Sequence, residues 1–165
     1  MIKWTSRQWR LDHPVDMFPF IRERLYGTAP RIAEMTEGIS TATLTRRKGE
    51  AWSIQEHIGH LIDLDALHEA RLDDYLSHLP ELRAADMTNR KTYEGNYNAQ
   101  VLADLLARFR SARVNFIHRL EKIDLNLSAL HPRLQQPMRV VDMAFFVAEH
   151  DDHHLAKMRE LLAIA

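Results

Sequence analysis

Residues 139–162 read RVVDMAFFVAEHDDHHLAKMRELL. Apolar residues recur there at intervals of three and four, and Met143, Val147, Met158 and Leu161 fall on one face. That is the period of an amphipathic helix, not of a strand. His150 and His154 are four apart, so their side chains stand one turn above the other on the same apolar face. An inward-facing pair of imidazoles needs polar partners to offset lost hydration. A divalent ion would supply one, because two imidazole nitrogens so placed can meet it at about 2.0–2.2 Å.

Two ligands on one helix rarely suffice, so a third is expected from a facing helix. Ser53 is a good N-cap and Glu56 follows at the capping-box spacing. The helix it opens carries Ile54, Ile58, Leu61, Leu64, Leu67, Leu72 and Leu76 and should end near Leu79 and Pro80. His60 shares a face with Leu64 and Leu67, and His57 stands three residues earlier. A positive His57 near the helix N-terminus is disfavoured, but a neutral, ligating one is not. The spacing puts His60 ahead and leaves His57 as its competitor. A paired HxxxH is a weak signal by itself. A lone core histidine is more often hydrogen-bonded than ligating, so the coincidence of pair, phase and third histidine carries the metal reading.

The rest of the chain is also helical in pattern. A region from about Asp16 to Ile39 contains Phe18, Ile21 and Leu25 and is interrupted by Gly27-Thr28-Ala29-Pro30. Proline lacks the helical donor, so the expectation is a kink, or two helices with Thr28 capping the second. Another helix starts near Asn98 and runs through Leu105, Phe109 and Phe116 to Leu120. The polar connection from Glu81 to Tyr97 is long for a bundle and should wall a site. The connection from Lys122 to Pro137 contains two prolines and reads as a loop. The expected fold is all-α: a four-helix bundle with long crossover connections, one domain over residues 1–165 with its core at about 16–162. An irregular domain of five or six shorter helices is the alternative.

Composition narrows the chemistry. The chain has 165 residues and no cysteine, so disulfides, thiolate ligands and a cysteine nucleophile are excluded. A metal must be held by nitrogen and oxygen. With 22 Lys and Arg against 23 Asp and Glu, there is no general attraction to nucleic acid. The basic run Arg46-Arg47-Lys48 reads as a solvated loop. No segment resembles a signal peptide or a membrane span, and a cytoplasmic protein is expected. There is no phosphate loop, no dinucleotide-binding turn, no HExxH and no glutamate three residues before a histidine ligand.

The segment Trp52-Ser53-Ile54-Gln55-Glu56-His57-Ile58-Gly59-His60-Leu61 resembles the second-helix motif of the DinB-like (DinB/YfiT-like) metalloenzyme superfamily. His150-Asp151-Asp152-His153-His154-Leu155-Ala156-Lys157-Met158 resembles its last-helix motif, and Phe109 to Arg113 and His131-Pro132-Arg133 are also family-like. The resemblance implies an up-down-down-up bundle. It implies a divalent ion, commonly nickel or zinc, on His60, His150 and His154, with His153 as the extra histidine that many members carry. His57 matches no usual ligand. Members often have glutamine where this chain has Lys157. A lysine reaching inward would repel a metal and attract an anionic ligand, and one turned outward would do neither.

Family activities include transfers that use low-molecular-weight thiols such as bacillithiol and mycothiol, one isomerisation, and proposed hydrolyses. The expectation is a metal-dependent transferase or hydrolase acting on a small molecule, with thiolate or hydroxide on the ion as the attacking species. The alternatives are a non-catalytic metal or small-molecule binder and a structural bundle with a degenerate site. Asp63 or Asp65 is expected behind the ligands, near His60. Tyr93, Tyr97 and Arg113 are candidates for substrate contact, against loop packing for the tyrosines and a surface ion pair for the arginine. A homodimer through an exposed helix face is an expectation of the architecture.

Overall fold

The computed structural model describes residues 2–163. Four long helices carry the chain, with short elements between them. In order they are α1 (Phe18–Thr36), α2 (Thr41–Leu44), α3 (Ile54–Leu76), α4 (Arg90–Glu94), α5 (Leu102–Leu120), β1 (Ser128–His131), β2 (Gln136–Arg139) and α6 (Val140–Leu162). Single 3-10 turns lie at Trp4–Ser6, Val15–Met17 and Tyr97–Ala99. No helix among the described residues is long and apolar enough to cross a membrane.

The local signals explain most boundaries. Ser53 Oγ accepts the Glu56 N–H, and Glu56 returns the favour to the Ser53 N–H at 2.9 Å, so the capping box starts α3 as the sequence predicts. The helix stops at Leu76, a few residues before the prolyl boundary expected. Of the two expectations for this region, the pair of helices is overturned: α1 is one continuous helix with Pro30 inside it. Thr28 caps nothing and instead donates to Asp151 of α6 at 2.7 Å. Pro30 costs one helical hydrogen bond, but α1 is clamped to α6 over its length, with Arg24 on Glu149 and Arg31 on Asp152. The second departure is the hairpin of β1 and β2, where a loop was expected, so the chain is mostly rather than wholly helical. Pro132 falls in its turn, and Pro137 sits in β2 of a two-stranded ribbon, where an edge position needs no donor.

α3 packs on α5 and α6, and so does α1, which sets α1 across the bundle from α3. Asp65 meets Arg113 and Asp73 meets Arg119, so contacts advance together along α3 and α5. Between α3 and α6 they run oppositely: His57 reaches His154, and Tyr75 donates to the Met138 carbonyl just before α6.

The apolar core is in two parts. One gathers Ile21, Leu25, Leu72, Phe116, Met143 and Val147. The other gathers Ile32, Ile58, Leu61, Leu105, Phe109, Leu155 and Met158. Between its contributions to the two halves each long helix places a member of one linked polar group: Thr28, Asp65, Arg113 and Asp151. Arg113 grips both carboxylates, with Nη2 at 2.9 Å from Asp65 Oδ1 and 3.0 Å from Asp151 Oδ1. Burial works against this charge, yet Asp151 and Asp65 together hold the guanidinium above its ordinary pKa.

Candidate metal centre and the cavity beside it

His60 lies two turns into α3, and His150 and His154 lie one turn apart on α6. Because α3 and α6 pack face to face, the apolar phase that buries each helix also turns these rings toward one another. Each ring is about 5% exposed. One nitrogen from each of the three lies within 4.8 Å of the others. The Nε2 atoms of His150 and His154 are 3.1 Å apart. Two ligands at about 2.0–2.1 Å on a tetrahedral ion stand about 3.3 Å apart, so this spacing suits a shared cation.

The protonation states suit it too. Burial pulls His60 down to about 4, and burial with neighbouring histidines holds His150 and His154 well below the ordinary value. All three are neutral near pH 7, as ligands must be. The tautomer of His60 is set from behind. Its Nδ1 is 3.0 Å from Thr92 Oγ1, and that hydroxyl donates to Asp63 Oδ2 at 3.1 Å. With its one proton committed to Asp63, Thr92 accepts from His60 Nδ1–H. The lone pair is thereby left on Nε2. Tyr97 donates to the other oxygen of Asp63 at 2.7 Å and fixes the carboxylate. His57 holds His154 in the same way, with the two Nδ1 atoms 2.8 Å apart. A proton on His154 Nδ1 frees its Nε2 for an ion and makes His57 an acceptor behind the ligand, outside the three-histidine group. Tryptophans flank the centre: Trp52 lies 4.6 Å from the His60 ring, and Trp4 lies 4.7 Å from the His150 ring.

The histidines open into a cavity of about 430 Å³, a size typical of small-molecule sites. Leu64, Leu67 and Phe146 line its middle, and residues Ala84 to Met87 line one wall, as expected for that long connection. His153 is half-buried in the wall beside Trp4. Lys157 pairs with Glu160 at 3.3 Å, and its charge helps to lower the pKa of His57 and His153.

Three expectations are corrected. Arg113 is neither a substrate contact nor a surface ion pair, because it is sealed between Asp65 and Asp151. Tyr97 is buried and holds Asp63, while Tyr93 is exposed and touches the edge of Trp52; neither lines the cavity. Asp65 belongs to Arg113, so of the two aspartates near His60 only Asp63 stands behind it.

Sequence reasoning assigned no role to Thr92, Trp4, His68, Arg71 or His131. His68 and Arg71 had a signal, since they continue the face of His60, Leu64 and Leu67 at helical spacing. Thr92 and Trp4 lie outside the long helices and had none.

A sequence model of the DinB superfamily matches residues 24–158. The chain belongs to that superfamily. YfiT from Bacillus subtilis superposes with a TM-score of 0.81 over 94% of this chain and 91% of its own, at 14% identity. YfiT is described as a probable metal-dependent hydrolase with an unusual four-helix bundle topology. At that identity the likeness shows the DinB-like fold. No curated protein sequence matches the chain.

Proposed function

We propose that this DinB-superfamily protein is a divalent-metal-dependent enzyme acting on a small molecule, with His60, His150 and His154 as the ligands. The carrying observation is the convergence of three buried, neutral imidazoles, one nitrogen of each within 4.8 Å of the rest, at the wall of a ligand-sized cavity. A cation held there would keep its full positive charge, retain open positions, and lower the pKa of a water or thiol bound to it. Nickel and zinc both suit three imidazoles.

The residues around the site bear on the reaction. Among the described residues Asp86 is the one carboxylate in the cavity lining, and it already accepts from Thr88 and Arg90. No free carboxylate therefore stands beside the three imidazoles as a general base, and the half-buried His153 is the basic group left in the wall. A scarcity of bases favours a nucleophile needing little help, and a thiol, with its ordinary pKa near 8.5, needs less than water does. Transfer to or from a low-molecular-weight thiol is our first reading. Hydrolysis is the second, favoured by the description of YfiT. The contact pattern between helices also supports an up-down-down-up order for α1, α3, α5 and α6.

Elemental analysis of protein purified without chelator tests the metal. About one equivalent of nickel or zinc is expected in the native chain and little in His60→Ala. Full loading of the variant would remove His60 from the ligand set. Turnover of electrophiles only with added thiol, or of esters without it, then separates the two reactions.

A further inference from the structure

The cavity has a second polar end. α3 runs from His60 past Leu64 and Leu67 to His68 and Arg71, and all five line the cavity. At about 1.5 Å per residue, His68 is roughly 12 Å along the helix from His60. Arg71 is 2% exposed, and its Nε–H donates to the Arg83 carbonyl at 3.1 Å. No carboxylate of the described residues pairs with it. The nearby Asp74 is taken by Arg83, with both of its oxygens 3.0 Å from Arg83 Nε. Burial lowers Arg71 to about 10, which leaves it charged at neutral pH.

Two histidines join it. His131 Nδ1 accepts the Leu134 N–H at 3.2 Å, so its proton is on Nε2, and the ring lines the cavity as a donor. His68 is 3% exposed and its Nδ1 has no partner. Arg133 stands exposed in the same lining. Asp74 is near enough to act on the charge of Arg71, but no carboxylate of the described residues hydrogen-bonds it, and a buried guanidinium in that state, beside one imidazole N–H and one unpartnered imidazole, is an environment that an anion completes.

We propose that this end of the cavity is a carboxylate subsite, in which Arg71, His131 and His68 hold the acid group of a small molecule whose other end faces His60, His150 and His154. The assignment rests on the cavity being the substrate site, but it does not need the metal. Leu64, Leu67 and Phe146 between the two ends call for an apolar middle to the ligand. Among the described residues Arg71 is the one buried guanidinium in the lining and Arg133 is solvated, so the buried charge matches one monoanion.

The test uses the whole chain stripped with chelator, titrated with hexanoate, hexanamide and inorganic phosphate. Binding is followed by calorimetry and by the fluorescence of Trp4 and Trp52, which line the cavity. Hexanoate should bind at least tenfold more tightly than hexanamide or phosphate. Arg71→Met should lose at least tenfold in hexanoate affinity while the metal content of the same variant purified without chelator matches the parent's, and Arg71→Lys should recover part of the loss. Equal binding of hexanoate and hexanamide by the unmodified chain, tighter binding of phosphate, or an Arg71→Met variant that binds hexanoate like the parent would overturn the proposal. The acid–amide comparison requires no variant to fold. Absence of metal by elemental analysis would count against the proposed function and leave this result standing.

Discussion

Thr92 carries a single proton, and where that proton goes decides which nitrogen of His60 is free. Its hydroxyl lies between His60 Nδ1 and Asp63 Oδ2, at 3.0 and 3.1 Å. Replacing Thr92 with valine keeps the shape and deletes the relay. His60 then loses the acceptor that fixes its ring, and metal affinity should fall about ten- to hundredfold, the usual cost of removing a partner behind a ligand. Competition against a chromophoric chelator measures it, and an unchanged affinity would mean that Thr92 does not orient the ring. His150 and His154 were legible in the sequence because helical phase turns both inward; phase only put His60 ahead of His57, and the resemblance to the DinB-like second-helix motif chose between them. Thr92 was not legible, because it sits on the five-residue helix α4, where no long periodicity indicates direction. Arg113 was misread for a different reason. Arginine is almost never fully buried without partners, and its partners, Asp65 and Asp151, lie 48 and 38 residues away.

Gly59 shows how one helix position governs a neighbouring segment. It lies in α3 between Ile58 and His60, and a Cβ there would overlap the ring of Tyr97. In an open helix Gly→Ala gains about 1 kcal/mol. Here Tyr97 cannot step aside freely: Gln55 Nε2 holds its carbonyl at 2.7 Å, Asp63 holds its hydroxyl, and Ser53 Oγ ties the adjacent Asn98 at 2.6 Å. The clash should prevail, leaving Gly59→Ala about 1–3 kcal/mol less stable. Displacing Tyr97 would also loosen Asp63 and weaken metal binding. A urea midpoint at or above that of the parent would refute this. The capping box of α3 was readable because it is local, with Ser53 and Glu56, three apart, bonding each other. The β1–β2 hairpin was not readable. Its ends are fastened by distant groups, with the Leu130 N–H on the Pro80 carbonyl and the Leu82 N–H on the Leu130 carbonyl, and nothing in the Lys122–Pro137 pattern reveals those. α1 survives Pro30 for a similar reason, since its clamps are on α6.

The bundle as a whole is two apolar halves joined through a polar layer to which all four long helices contribute. Removing the central charge should therefore loosen the entire molecule. Arg113→Met leaves Asp65 and Asp151 buried without a counter-charge, and a loss of about 3–5 kcal/mol is expected in denaturant unfolding. The buried histidines make stability depend on pH in a definite window. Six are buried among the described residues: His57, His60, His68, His131, His150 and His154. Burial, reinforced by Arg71 and Arg133, lowers His131 from 6.5 to about 4. The unfolded chain then takes up a proton near pH 6.5 that the folded chain refuses until about pH 4. The neutral ring favours the fold fully above that window, and the advantage is lost as pH falls through it, on the order of 3 kcal/mol for His131 at 1.36 kcal/mol per unit. The other five are depressed in the same direction. Asp74, lowered from 3.8 by its hydrogen bonds to Arg83, adds its loss only at lower pH. The melting temperature should therefore fall steeply between pH 6.5 and 4, and a flat profile from pH 7 to 5 would contradict the neutral-histidine core. Added nickel or zinc should shift the fall toward acid, because protons must then displace the ion from His60, His150 and His154. That shift should vanish in His60→Ala while the fall itself persists through the histidines that remain, which separates the metal's contribution from that of burial.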